Sequence, residues 1–172
     1  MAKVSPVVVR AAGPRDEAAV AELVSAAGLP LDGLGEAWLV LLAEMAPTAD
    51  ARPPLVGVVA LERYGAHEEA AGLLRSAAVD GRWRGRGVGE ALIAAALEAA
   101  DEQGLPVGLL TESTAGYFPR FGFSPGAWDQ LPSALAASEQ LRGLCPSSAT
   151  AMLRPRGAPD TAGDGRPPEV LP

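Results

Sequence analysis

The stretch Arg82-Trp83-Arg84-Gly85-Arg86-Gly87-Val88-Gly89 places three guanidinium groups and three glycines in one short run, a composition suited to holding phosphate. A helix that starts near Gly87 leaves its first N–H groups unpaired and pointing outward, where they attract anions. Glycines let phosphate oxygens approach the main chain and let the chain adopt positive φ. Two familiar nucleotide loops do not fit. A Walker loop needs Gly-Lys-Ser/Thr, and the only lysine is Lys3. In the dinucleotide fingerprint begun by Gly85 and Gly87, the third glycine falls on Glu90. Asp80 and Glu90 flank the run, so pairing of the arginines with these acids is an open alternative.

The elements that must position this loop are legible from periodicity. Gly72 to Val79 forms a strand leading into it, and Val88, Leu92, Ile93, Ala96, Leu97 and Ala100 recur at helical spacing after it, with Gly104 and Pro106 ending the helix. Upstream, Val7 to Arg10 is a strand, Pro14 to Ala27 a helix stopped by Gly28, Leu34 to Ala37 a short helix and Trp38 to Ala43 a strand. A polar, proline-containing loop from Met45 to Pro54 joins this to strands at Leu55 to Tyr64 and Ala71 to Val79, with the only histidine, His67, in the turn between them. Downstream come a buried strand at Val107 to Thr111, a helix over Pro132 to Gln140 and a last strand at Ala149 to Arg154.

Chain length and charge set the class. The 172 residues favour a single domain with a core large enough to need neither disulfides nor metal. Residues 1–154 form that domain, and 155–172, with five prolines and three glycines, are expected to be a disordered tail. The net charge of −7 argues against a nucleic-acid partner. One cysteine, Cys145, excludes an internal disulfide, and the lack of a signal or membrane-length apolar run makes a cytoplasmic location the expectation. Gly81 to Gly89 is a basic patch on this acidic chain, suited to one small polyanion. Dimerisation through an exposed sheet edge is expected to be possible.

Arg84-x-x-Gly87-x-Gly89 resembles the pyrophosphate loop of GNAT-type N-acetyltransferases, with the pattern Gln/Arg-x-x-Gly-x-Gly/Ala. Ala115-Gly116-Tyr117-Phe118-Pro119-Arg120-Phe121-Gly122-Phe123 is similar to the aromatic segment that closes the acetyl-CoA site in that superfamily. Gly122 to Pro125, Gln130-Leu131-Pro132 and Leu141 to Ala149, with Leu61 to Gly65 and Leu74 to Val79, resemble the branch known as arsenic-resistance N-acetyltransferases, over about residues 7–154. The same order is similar to the acetyltransferase domain of N-acetylglutamate synthases. The resemblance implies an α/β (α+β) fold: a mixed, mostly antiparallel twisted sheet of six to seven strands flanked by about four helices. It also implies acetyl-CoA as co-substrate, no metal, and a small amino-acid-like amine as acceptor. A CoA-binding module without turnover and an acetyltransferase acting on protein amino groups are the alternatives.

Aminolysis of a thioester divides the site into roles. Arg84, Gly85, Arg86, Gly87, Val88 and Gly89 are expected to hold the pyrophosphate, so that remote binding positions the reacting carbon. The main chain of Ala77, Ala78 and Val79 is expected to meet the amide-bearing arm of CoA, an N–H there also stabilising the carbonyl oxygen. Thr111 stands where the family often has a cofactor-contacting asparagine, and Phe118 is a core or cofactor-wall residue. The acceptor's proton needs a base, with Glu62 the first candidate, Glu112 the second and His67 the third. Many relatives carry a tyrosine as proton donor where this chain has Phe118; Tyr117, its neighbour, is one candidate here, although adjacent helical residues point about 100° apart, and water or the hydroxyl of Ser113 or Thr114 is the alternative. Arg75 is the expected partner of a substrate carboxylate, ahead of Arg63, Arg120 and Arg142. Ser147, with Ser148, is expected to meet polar substrate groups, and Cys145 to be a buried structural thiol.

Overall fold

The computed structural model describes residues 7–46, 52–144 and 147–158. Seven strands form one sheet: β1 (Val7–Ala11), β2 (Leu39–Met45), β3 (Leu55–Tyr64), β4 (Ala71–Val79), β5 (Val107–Thr111), β6 (Ser124–Gly126) and β7 (Thr150–Arg154). Their order across the sheet is β1-β2-β3-β4-β5-β7-β6. All neighbours are antiparallel except β4 and β5, which run parallel and are joined through the helix α2 (Val88–Glu102). The other α-helix, α1 (Glu17–Ala26), precedes β2.

Alternation along the strands builds two faces. Val59, Leu61 and Leu74 point into a core shared with Val88, Leu92, Ile93, Ala96 and Leu97 of α2 and with Phe118, Phe121 and Phe123. Val58, Ala60 and Ala78 point the other way, against Val20 and Val24 of α1. On that same face Ala71 and Leu73 pack with Leu131 and Leu135. α2 lies close on β3: a Cβ at Gly57 would come within 2.7 Å of Leu92 Cδ1 and 2.9 Å of Val88 Cγ1.

The sheet matches the expected architecture, and the helices differ from it in kind. Leu34–Glu36 and Ser133–Ala137 are 3-10 turns, and Gln140–Leu144 is a wide turn broken at Gly143 (φ 138°), so among the described residues only α1 and α2 are α-helical. Segments this short gain little from helix propagation. Pro14–Asp16, expected as the first turn of α1, is likewise 3-10. Strand β6 had no counterpart in the sequence reading, because Ser124-Pro125-Gly126 has poor strand propensity and owes its conformation to pairing with β7. Part of the Met45–Pro54 loop, Cys145 and residues 159–172 lie outside the described residues.

Two arginines fasten the frame. Arg10 bridges Asp16 (2.8 Å) and Glu44 (2.7 Å), tying β1 to β2 and to the start of α1. The Arg10 guanidinium, helped by the Gly13 N–H, holds the Asp16 carboxyl well below the usual carboxylate range. Arg154, 1% exposed, donates to the Phe121 carbonyl (2.9 Å) and to Asp101 (2.7 Å), fixing the aromatic segment and the end of α2 against β7.

Candidate active site

The site begins where β4 and β5 part. Their ladder consists of Gly72 with Val107 and Leu73 with Gly108, and β4 continues to Val79 with a partner only on its β3 side. Ala78 pairs with Val58, and the Asp80 N–H bonds to the Val56 carbonyl (2.9 Å), so the main chain of Val79 faces away from β3 toward the gap. Leu74 to Val79 spans about 17 Å of extended chain. The strand is interrupted by a bulge opposite Val58 to Ala60, where Ser76 has φ 55°, a conformation few non-glycine residues adopt. Bulges re-aim strand groups. Here the bulge lies between Arg75 and the Ala77 to Val79 segment expected to meet the cofactor arm; Ala77 itself is exposed.

The arginine-glycine loop lies at the far end of that edge. Gly85 (φ 71°) and Gly87 (φ 80°) are both left-handed, and a Cβ built on either would meet nothing within 4 Å. Gly87 caps α2, leaving the N–H groups of Val88, Gly89 and Glu90 at a free helix start. Arg82 is committed to Asp80 through paired bonds (3.0 and 3.2 Å), and this contact first holds the Asp80 carboxyl below its ordinary value. Arg84 bonds through Nε to the Val79 carbonyl (3.2 Å), and Arg86 lies 4.9 Å over the Trp83 ring. Among the described residues neither has an ion-pair partner. The alternative of arginines neutralised by neighbouring acids therefore describes Arg82 and leaves Arg84 and Arg86 available. Left-handed glycines, helix-start N–H groups and two guanidinium groups without an ion-pair partner among the described residues fit a pyrophosphate.

Tyr117 stands at this same end. Its hydroxyl lies 3.4 Å, and Val79 Cγ2 3.6 Å, from the position a Cβ would take on Gly89. Arg120 stacks 4.2 Å over its ring, and burial raises its phenol pKa. The point where β4 and β5 part is at the opposite end of β4, so the Tyr117 hydroxyl, expected as the proton donor, lies at the loop end of the strand. Phe118, 7% exposed, packs edge-on against Tyr117 and Phe123 within the α2-side core.

The other half of the site lies across the sheet. Glu62, cross-strand from Leu73, is 6% exposed and receives two short hydrogen bonds, from Arg75 Nη1 to Oε1 (2.6 Å) and from the Tyr64 hydroxyl to Oε2 (2.6 Å). Burial first, then the bond to Glu62, pushes the Tyr64 phenol up to about 12, so it remains a donor at any working pH. Arg75 also donates to the carbonyls of Asp32 (2.6 Å) and Pro30 (3.1 Å) and to Ser76 Oγ (3.2 Å), with its side chain 1% exposed. Arg75, expected to meet a substrate carboxylate, is thus bonded internally and anchors Glu62 and the Pro30–Gly33 turn. Gly33 (φ 74°) allows the approach, since a Cβ there would stand 3.2 Å from Arg75 Nη1.

In front of this pair is a cleft of about 490 Å³, whose wall includes Glu36, Trp38, Arg63, Glu139 and Arg142. These four charged residues have no ion pairs among the described residues, and Trp38 is 42% exposed. Arg63 and Arg142, second to Arg75 in the sequence reading, are the cations this cleft offers. Glu36, Trp38 and Glu139 were not singled out from sequence; no motif surrounds them, and they meet only through the turns that follow α1 and Pro132.

The remaining candidates stand apart. Glu112 and Ser147 are exposed and off this cleft wall, and His67 sits in an exposed turn with φ 52°. Thr111 bonds to Thr114 through its hydroxyl (2.7 Å) and accepts the Thr114 N–H (3.1 Å), closing the turn after β5. Among the described residues no group of His, Cys, Asp and Glu is arranged to hold a metal ion, and no helix is long and apolar enough to cross a membrane.

Comparison with known proteins agrees with this arrangement. The acetyltransferase (GNAT) domain family matches residues 40–125, which take in the parting strands, the loop and the aromatic segment. The chain belongs to this family of acetyltransferase domains. Similar folds include N-acetylglutamate synthase from Neisseria gonorrhoeae complexed with coenzyme A and N-acetyl-glutamate, 22% identical with a TM-score of 0.68. That match covers 88% of this chain and 35% of the synthase chain, so this chain spans about a third of the synthase's length. Rv2747 from Mycobacterium tuberculosis, in a complex containing CoA, is 24% identical (TM-score 0.64; 86% and 98% of the two chains covered). A GNAT family acetyltransferase from Staphylococcus aureus Mu50 is 15% identical (TM-score 0.64; 87% and 98% covered). At these identities the likeness is one of fold. No curated protein matches the sequence.

Proposed function

We propose that this protein transfers the acetyl group of acetyl-CoA directly to the amino group of a small amino-acid-like acceptor, both substrates being bound together. The observation that carries this reading is the path from the loop at Gly85–Gly89, along the unpaired edge of β4, to the parting of β4 and β5 beside Glu62. Arg84, Arg86 and the first N–H groups of α2 hold the pyrophosphate. The Val79 main chain and the Tyr117 hydroxyl flank the arm, and the thioester reaches the far face near Leu74 and Arg75. There the cleft offers both signs of charge: Arg63 and Arg142 for a carboxylate, Glu62 and its neighbours for an ammonium. A free amino acid carries that pair of charges. The amine nitrogen attacks the acetyl carbonyl, the C–N bond forms, the C–S bond breaks and CoA leaves as thiolate. The branch of the family to which the acceptor belongs, arsenic-resistance or N-acetylglutamate-like, rests on resemblance; the likeness to a synthase complexed with N-acetyl-glutamate supports an amino acid.

The test is thiol release from acetyl-CoA with free amino acids, the same compounds as carboxamides, and a short peptide with a free N-terminus. Free amino acids are expected to react and the carboxamides to react poorly. CoA binding without turnover on any amine would establish the binding-module alternative, and preference for the peptide would establish a protein acceptor. Arg84→Glu with Arg86→Glu is expected to weaken CoA binding by about 100-fold or more, from the loss of two charge-assisted contacts.

A further inference from the structure

We propose that Glu139 takes the proton from the acceptor's ammonium group, while Glu62 stays ionised as the fixed anion against which that group docks. This rests on the amine-acetylating reading of the cleft. Glu62 and Glu139 both face the cleft, but their surroundings differ. Among the described residues Glu62 is the only carboxylate on Arg75, whose side chain is 1% exposed and whose other contacts there are neutral oxygens. A proton delivered to Glu62 would leave that guanidinium buried without a counter-charge. Glu139 carries no such obligation: its side chain is exposed and it has no ion pair among the described residues.

The two carboxylates meet at Gly33. The point that a Cβ would occupy there lies 3.6 Å from Glu62 Oε1 and 3.8 Å from Glu139 Oε2, with Arg75 Nη1, the partner of Glu62, 3.2 Å away. The missing side chain leaves the cleft wall open beside both carboxylates, and this is where the acceptor's ammonium docks. The backbone on either side of Glu139 is held in place, since Ser138 is fully buried, Gln140 is 6% exposed, and Ser138 Oγ accepts the Gln140 N–H (3.1 Å). Glu36, on the turn after Gly33, is not among the nearest atoms to that point.

The protons balance without another reactant. The ammonium gives one proton to a Glu139 carboxylate oxygen, which hands it to solvent from its exposed position. The neutral amine attacks, and its second proton passes through water to the departing thiolate. The net products are the amide, CoA thiol and one released proton.

The experiment is the dependence of kcat on pH for the full-length wild type and the Glu139→Gln, Glu139→Asp, Glu36→Gln and Glu62→Gln variants, using the free amino acid that reacts best among the twenty common ones. Glu139→Gln is expected to lower kcat near pH 7 by about 100-fold or more. That deficit should shrink as pH rises toward the range where the amine is neutral unaided, and Glu139→Asp should restore part of the rate. Glu62→Gln should instead raise KM and lower the melting temperature. A Glu139→Gln profile matching the wild type within about threefold, or transfer of this behaviour to Glu36→Gln or Glu62→Gln, overturns the proposal. If the wild type acetylates no amine, the functional reading itself falls, and the role of Glu139 with it.

Discussion

The two ends of β4 recognise charge by opposite physical means. At the Val79 end, Gly85–Gly89 offers backbone N–H groups and solvent-exposed arginines on a chain held in left-handed turns. At the Leu73 end, the charges are buried: Glu62 and Arg75 are each almost fully enclosed and bonded to one another and to the Pro30–Gly33 turn. In the proposed reaction the first end grips a cofactor whose charge is the same for every acceptor, and local backbone suffices. In that reaction the second would present an amine at one geometry, which needs a rigid anion, and burial supplies that rigidity at the cost of two desolvated charges.

That contrast can be broken at its stiffer end first. Glu62→Ala is expected to destabilise the fold by about 3–5 kcal/mol, because it strands the Arg75 guanidinium. Urea unfolding of Glu62→Ala and of Glu62→Leu with Arg75→Met checks this: the double variant should recover most of the loss, and equal losses would show that the pair is not coupled. The next effect compares two glycines of nearly equal φ. Gly87→Ala meets strain alone and should cost about 1–2 kcal/mol, since open space surrounds the added carbon. Gly33→Ala carries the same strain plus contact with Arg75 Nη1 at 3.2 Å and should cost more. The kinetic split is sharper: Gly87→Ala should raise KM for acetyl-CoA, and Gly33→Ala should raise KM for the acceptor. Either substitution acting on the wrong substrate would contradict the division of the site. The smallest effect belongs to Tyr117→Phe, which removes one hydroxyl from beside the cofactor arm. It should weaken CoA binding by about 0.5–1.5 kcal/mol with kcat unchanged, by titration calorimetry and steady-state rates. A large fall in kcat would return Tyr117 to the role of proton donor.

The loop was legible because everything it needs is contiguous. Arg84, Gly85, Arg86, Gly87 and Gly89 are close in sequence, the helix after them announces itself by periodicity, and the glycines adopt the left-handed turns for which glycine is suited. Arg75 and Glu62 were each singled out in the sequence, but their pairing was not, since cross-strand register puts them together and no local pattern encodes it. Glu139 gave no signal at all: it follows a 3-10 turn in a segment of weak periodicity, and its position opposite Gly33 depends on how Leu131 and Leu135 pack on Leu73. Tyr117 was placed one residue from a family position, and only the packing of Phe118 into the core revealed which way its hydroxyl turns.

By itself, then, the sequence determined the strand–loop–helix unit and its glycine-rich turn, because hydrogen bonds within a few residues and hydrophobic periodicity are local properties. The tertiary structure decided where β4 leaves β5, which arginine is buried against which carboxylate, and which acidic residues share the wall of one cleft. Those depend on strand register and on side chains packed from distant segments, where a shift of one residue would send each group to the other face of the sheet.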